Sequence, residues 1–147
     1  MVENNLFKEV TGIDNISDNM FLSEGEIEYP ISQVLSFLEM AGLESKYTKL
    51  PRKIYVVTAE ENEKLIRNEG GHKDPHIHVD TKNQGYVPIS IEKSPKILVK
   101  KGTWNNMRKE DKNVVHSTIE YVSNNYNPLL QYWHGEILLK ELLDTLA

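Results

Sequence analysis

Apolar residues recur with two periods along this chain, and those periods sketch its elements. From Tyr29-Pro30, Ile31, Val34, Leu35 and Leu38 form an i, i+3, i+4, i+7 stripe. Proline suits the first helical turn and Gly42 a helix stop, so a helix is predicted over Tyr29–Ala41. Lys53 to Thr58 (KIYVVT) is β-branched and aromatic with apolar residues on both faces, which predicts a central strand. Thr58 and Glu61 then form a capping-box pattern opening a helix that runs to about Glu69 and closes at Gly70-Gly71.

Period two returns at Pro75-His76-Ile77-His78-Val79-Asp80 and again at Tyr86 to Glu92 (YVPISIE). Asn83, Gln84 and Gly85 supply turn chemistry between them, so the pair should form a hairpin. Keeping Ile77 and Val79 on the face of Val87, Ile89 and Ile91 sets Asp80 opposite Tyr86, His78 opposite Pro88 and His76 opposite Ser90. Asp74 then falls opposite Glu92. Pro88 cannot donate to a ladder, which places it on an edge or beside a bulge. Lys96 to Lys100 reads as a third short strand. Met107 to Tyr126 is the longest helical pattern, with Asn127-Pro128 as its breaker, and Leu129 to Leu146 forms a last helix bent near Gly135. The sum is an α+β fold: a small, mainly antiparallel sheet with helices packed on one face and an extra N-terminal helical segment.

The first 28 residues sustain no period and are acidic. They predict an arm, residues 1–28, ahead of a single α+β domain over 29–147. At 147 residues the chain holds one domain with a proper core. Net charge is −5, so no overall basic field draws in nucleic acid. Cysteine is absent, which excludes disulfides and thiolate metal sites. No apolar run approaches a membrane span, and the acidic start lacks a signal-peptide pattern, so a soluble cytoplasmic protein is expected.

The chemistry concentrates between Gly70 and Asp80, where three of the five histidines fall within seven residues. A strand there should bury Ile77 and Val79 and display His76, His78 and Asp80 together. Two roles follow. His76 and His78, completed by His72 or Glu92, could hold a divalent metal, most naturally zinc. Alternatively His76 and His78 work as acid and base oriented by Asp74, Asp80 or Glu92. The plain alternative is a solvated strand face. Elsewhere, His134 should pack at the sheet edge and His116 should be solvated. Trp104 with Lys100, Lys101, Arg108 and Lys109 makes a basic loop that could contact nucleic acid, but a solvated loop anchored by its tryptophan is the better reading. Trp133, in a helix stripe, should be a core residue.

The strings Ile54-Tyr55-Val56-Val57, His72-Lys73-Asp74-Pro75-His76-Ile77-His78-Val79 and Ile89-Ser90-Ile91 together resemble a family of small bacterial proteins with a PHxHV signature, classed as a domain of unknown function. Pro128 to Glu136 (PLLQYWHGE) is similar to that family's closing helix. The resemblance spans Lys53 to Glu136. Family members often lie beside small genes of toxin–antitoxin character, which implies a protein partner or a regulatory role and carries no activity with it. Two departures bear on any shared partner: the added segment from Met1 to about Leu50, and the helix from Ala59 to Glu69 where members have a short connection. Two functional expectations stand. One is a regulatory, partner-binding protein, docking through the acidic arm and a strand edge near Pro88. The other is a metal-dependent hydrolase acting on a phosphoester or similar polar substrate through His72, His76, His78 and Glu92.

Overall fold

The computed structural model describes residues 20–22, 41–63 and 74–146. In chain order its elements are β1 (Ala41–Leu43), α1 (Ser45–Thr48), β2 (Ile54–Val56), β3 (His76–Asp80), β4 (Tyr86–Ser90), α2 (Lys101–Asn105), α3 (Lys109–Trp133) and α4 (Leu139–Thr145). The four strands form one antiparallel sheet in the order β1-β2-β3-β4. This is the α+β architecture expected from the pattern, with β2 central as predicted. The helix predicted over Tyr29–Ala41 lies outside the described residues except for Ala41, which begins β1.

The hairpin register is the predicted one: His76 faces Ser90, His78 faces Pro88 and Asp80 faces Tyr86. Gly85 makes it possible by taking a φ of 80°, which costs glycine nothing. β2 extends the same rows, with Tyr55 opposite His78 and Ile54 opposite Val79. Directly opposed residues share a face. One face therefore carries Ile54, Ile77, Val79, Val87 and Ile89, all fully buried. The other carries Tyr55, His76, His78, Pro88 and Ser90.

The hairpin turn is tied to α3 by two carboxylates: Glu110, which accepts from Asn83 Nδ2 at 2.7 Å, and Asp111. Asp111 is fully buried, and its Oδ1 accepts from the backbone N–H groups of Lys82 (3.2 Å) and Asn83 (3.4 Å) and from Asn83 Nδ2 (3.4 Å). Hydrogen bonds to an ionised group are the stronger kind, and a stranded donor is costly. Asp111→Ala should lower the unfolding free energy by about 2–3 kcal/mol, read from urea denaturation. A loss below about 0.5 kcal/mol, the range of a neutral surface change, would show that the turn holds without it.

Three predicted boundaries are corrected. Residues 96–100 do not make a regular strand; they bridge the outer edge of β4. Ile97 pairs with Ile89, the Lys96 carbonyl accepts from Ser90 N–H, and the Pro88 carbonyl accepts from Leu98 N–H. β4 is thus a covered edge, and the open strand edge expected near Pro88 is not there. Residues 20–22 lie outside this cover, with Ile97 N–H bonded to the Met20 carbonyl and Leu22 N–H to the Val99 carbonyl.

The second correction concerns Pro128, which does not end the long helix. Asn125 departs from helical geometry (φ −125°, ψ 18°), three residues before the proline, and α3 continues to Trp133. The deviation makes room where a proline ring would meet the preceding turn. The Tyr121 carbonyl accepts from the Asn125 side-chain amide at 2.9 Å, so it stays satisfied. Third, Gly135 does not bend a last helix but ends α3. At φ 75° it closes a Schellman motif, with Gly135 N–H on the Tyr132 carbonyl and Glu136 N–H on that of Gln131. The final helix is only the seven residues of α4.

At the end of β2 the capping box forms as read: Thr58 N–H donates to Glu61 Oε1 (2.9 Å) and Glu61 N–H to Thr58 Oγ1 (3.2 Å). Trp133 is a core residue, 3% exposed. Val115, Ile119, Val122 and Leu129 of α3 join the same core as the sheet. No described helix is long and apolar enough to cross a membrane.

Candidate functional site

Pro75 leads into β3, and the two-residue period turns His76 and His78 to one side as the sequence requires. That side is not open. His76 is fully buried and His78 is 2% exposed. The expectation of a displayed histidine row is therefore overturned, along with its solvated-face alternative. The physical reason is aromatic cover. The Trp133 ring sits 5.3 Å from the His76 ring, and the two histidine rings stand nearly perpendicular at 5.2 Å. In the rows beside His78 are Tyr55 on one flank and Pro88 on the other. A neutral imidazole is apolar enough along its ring faces to fill such a space.

Electrostatics agree with that packing. Burial, with a smaller contribution from His76, pushes His78 down from its ordinary value to about 3. At neutral pH the ring is a neutral imidazole with no imidazolium proton to give and little basicity to take one up, so it is poorly placed as a general acid or base. His76 Nδ1 lies 2.7 Å from the Asp74 backbone carbonyl, which it meets as an N–H donor. That bond selects the tautomer whose Nε2 holds the lone pair.

The carboxylates expected around the histidines are spent on other partners. Asp80 is in an ion pair with Arg52 at 2.7 Å. Glu92 is exposed and accepts from Ser90 Oγ at 2.6 Å. Asp74 is exposed and serves His76 through its backbone, not its side chain. His72 lies outside the described residues. Among the described residues no group of three or more His, Asp or Glu side chains is placed to hold a metal ion. The structure thus brings His76 and His78 together and leaves Asp74, Asp80 and Glu92 apart from them.

The other histidines also depart from expectation. His116 is 1% exposed, not solvated, and burial lowers its pKa. The buried arc of α3 is wide enough to take it in between Val115 and Ile119. His134 caps the end of α3 and is exposed, so it does not pack at the sheet edge.

A polar cluster that sequence reasoning missed lies along the same sheet face, past His78. Tyr55 and Tyr86 meet edge to face with ring centres 5.4 Å apart, and their hydroxyls are hydrogen-bonded. Burial and Asp80 raise both phenol pKa values; Tyr55 raises that of Tyr86 further, while the hydrogen bond with Tyr86 works in the opposite direction on Tyr55. Arg52 neutralises Asp80 beside them, and Lys53 Nζ lies 5.7 Å from the Tyr55 ring. Extending the hairpin register to the strand at Ile54 would have found the pair, since Tyr55 shares a row with His78. On the other side of the sheet's end, Asp74, Ser90, Glu92 and Lys96 line a cleft of about 350 Å³.

Comparisons with family models, with curated proteins and with solved structures find no match to this chain.

Proposed function

We propose that this protein is a small cytoplasmic regulatory protein that works by binding a protein partner, in a toxin–antitoxin-like setting. The setting comes from the sequence resemblance. The observation that carries the reading is the burial of His76 and His78, with Trp133 against the His76 ring, which favours the histidine motif as a packed support over a solvent-facing reaction centre. Function then falls to the surface, and the acidic N-terminal arm is the segment we assign to the partner. Its Met20–Leu22 portion is secured to the body, with Phe21 and Leu22 buried.

One observation favours a second reading, a metal-dependent hydrolase using His72, His76, His78 and Glu92. A ligating histidine usually donates its other ring N–H to a carbonyl or carboxylate, as His76 does to Asp74.

The two separate in one set of experiments. Tagged full-length protein expressed in its own cells should co-purify with a stoichiometric protein partner, and deleting Met1 to Asn19 should abolish that. Purified protein with added zinc or manganese should not turn over phosphomonoesters or phosphodiesters. Turnover that disappears in His76→Ala would replace the partner reading with the hydrolase.

A further inference from the structure

Where β3 begins and β4 ends, residues of both charges line one cleft of about 350 Å³: Asp74, Glu92 and Lys96, with Ser90 among them. Backbone hydrogen bonds fix its walls. Ile91 N–H donates to the Pro75 carbonyl at 3.0 Å, Ser90 N–H to the Lys96 carbonyl at 2.9 Å, and Leu22 N–H to the Val99 carbonyl at 3.0 Å. The loop between Glu92 and Lys96 is anchored on α3, where the Ser123 hydroxyl donates to the Lys93 carbonyl at 2.6 Å. Leu22 and Leu98, buried together, and Pro75 supply an apolar share of the lining.

The charges on this lining do not neutralise one another. Glu92 Oε2 accepts from the Ser90 hydroxyl at 2.6 Å, and that hydroxyl accepts from the Lys96 backbone N–H at 2.7 Å. Ser90 is buried, so a hydroxyl held on both sides orients the Glu92 carboxylate. Among the described residues, neither the Lys96 ammonium nor the Asp74 carboxylate makes an ion pair. A lysine that shares a recess with two acids would ordinarily close on one of them, for little gain. Here one cation and two anions stay apart, and their bonding capacity is left to a third molecule.

The lining itself limits what that molecule is. Lys96 repels a bare metal ion, and the two acids repel a phosphate or a dicarboxylate, so a ligand carrying both signs satisfies all three groups. Its size is limited too, because 350 Å³ falls at the lower end of the roughly 300–1,000 Å³ of small-molecule sites.

We infer that this cleft binds a free aliphatic α-amino acid, its ammonium on Glu92 and Asp74, its carboxylate on Lys96 and its side chain against Leu22, Leu98 and Pro75. An ammonium brings three N–H donors and no acceptor, which suits a lining with two carboxylates. Bonds between charged partners are the stronger kind. The Ser90 tether means that Glu92 gives up little freedom when the ligand arrives. This inference goes beyond the proposed protein partner and does not depend on it.

The test is a proton–nitrogen NMR titration of the full chain with L-leucine at neutral pH. Saturable shifts are expected at millimolar concentrations or below, largest at the amides of Glu92 and Lys96. Two truncated probes should each bind about tenfold more weakly or worse: 3-methylbutylamine, which lacks the carboxylate, and 4-methylpentanoate, which lacks the ammonium. Lys96→Gln should weaken L-leucine by a similar factor and leave 3-methylbutylamine unchanged. Glu92→Gln should weaken L-leucine and 3-methylbutylamine and spare 4-methylpentanoate. Both side chains are exposed, so both variants should melt as the parent does. Lys46→Gln, an exposed lysine elsewhere, should bind L-leucine normally. No saturable shift with L-leucine, L-isoleucine, L-valine or L-methionine up to about 10 mM would overturn the inference. So would shifts confined to other parts of the chain, or variants that weaken all three probes alike. Equal binding of 3-methylbutylamine would overturn it as well, by making the cleft a site for simple amines or peptide N-termini.

Discussion

Trp133→Ala should lower the unfolding free energy by about 3–5 kcal/mol, the range for removing a large aromatic from a core. Trp133 is 3% exposed at the last turn of α3, one turn after the buried Leu129. Removing the indole leaves a cavity that the surroundings cannot close, because the Schellman motif at Gly135 and the kink at Asn125 both fix where this turn lies. It also strips the cover from His76, whose ring is 5.3 Å away. A domain of this size is stable by only about 5–15 kcal/mol, so the loss is a large share of the total. Urea unfolding followed by far-ultraviolet circular dichroism reads it, and Trp133→Phe, which keeps a ring in place, should lose much less. An alanine variant within about 1 kcal/mol of the parent, the typical cost of an average substitution, would show that α3 does not hold the sheet through this residue.

Trp133 was legible because helical periodicity reports on burial directly. The hairpin was legible for a similar reason: the Asn83–Gly85 turn and two alternating runs admit few registers, and Asp80 opposite Tyr86 is the one adopted. Periodicity says which residues share a face but not whether that face is wet. Polarity alone assigns His76 and His78 to solvent. A neutral imidazole gives up far less on burial than a carboxylate does, and His116 went the same way. Local rules also failed where a neighbour compensated. Pro128 is a sound helix breaker in isolation, yet the deviation at Asn125 and its side-chain bond to Tyr121 let α3 run through it. The Tyr55–Tyr86 pair needed a third strand's register, which no local pattern supplies. The N-terminal arm before Met20, most of the helix predicted over Tyr29–Ala41, and His72 lie outside the described residues.

Acid should unfold this protein early, and His78 should be a principal cause. Its folded pKa of about 3 lies below the ordinary 6.5, because burial beside His76 penalises the charged ring. The unfolded chain therefore binds a proton that the folded chain refuses. Above pH 6.5 both states are neutral at this site and its contribution is intact. As pH falls below 6.5 the unfolded state gains protons first, and stability drops by about 1.4 kcal/mol per unit for this one group. The loss reaches roughly 2 kcal/mol at pH 5 and levels off only as the folded ring itself protonates near 3. Burial lowers the His116 pKa in the same direction and steepens the fall. Urea midpoints measured between pH 7.5 and 4.5 should decline throughout that range. His78→Phe, which keeps an apolar ring between Tyr55 and Pro88, should flatten the decline by up to one proton's slope whatever it does to stability at neutral pH. An unchanged slope in that variant would mean that His78 already carries its proton in the folded protein, and that the space around its ring is wetter than its packing implies.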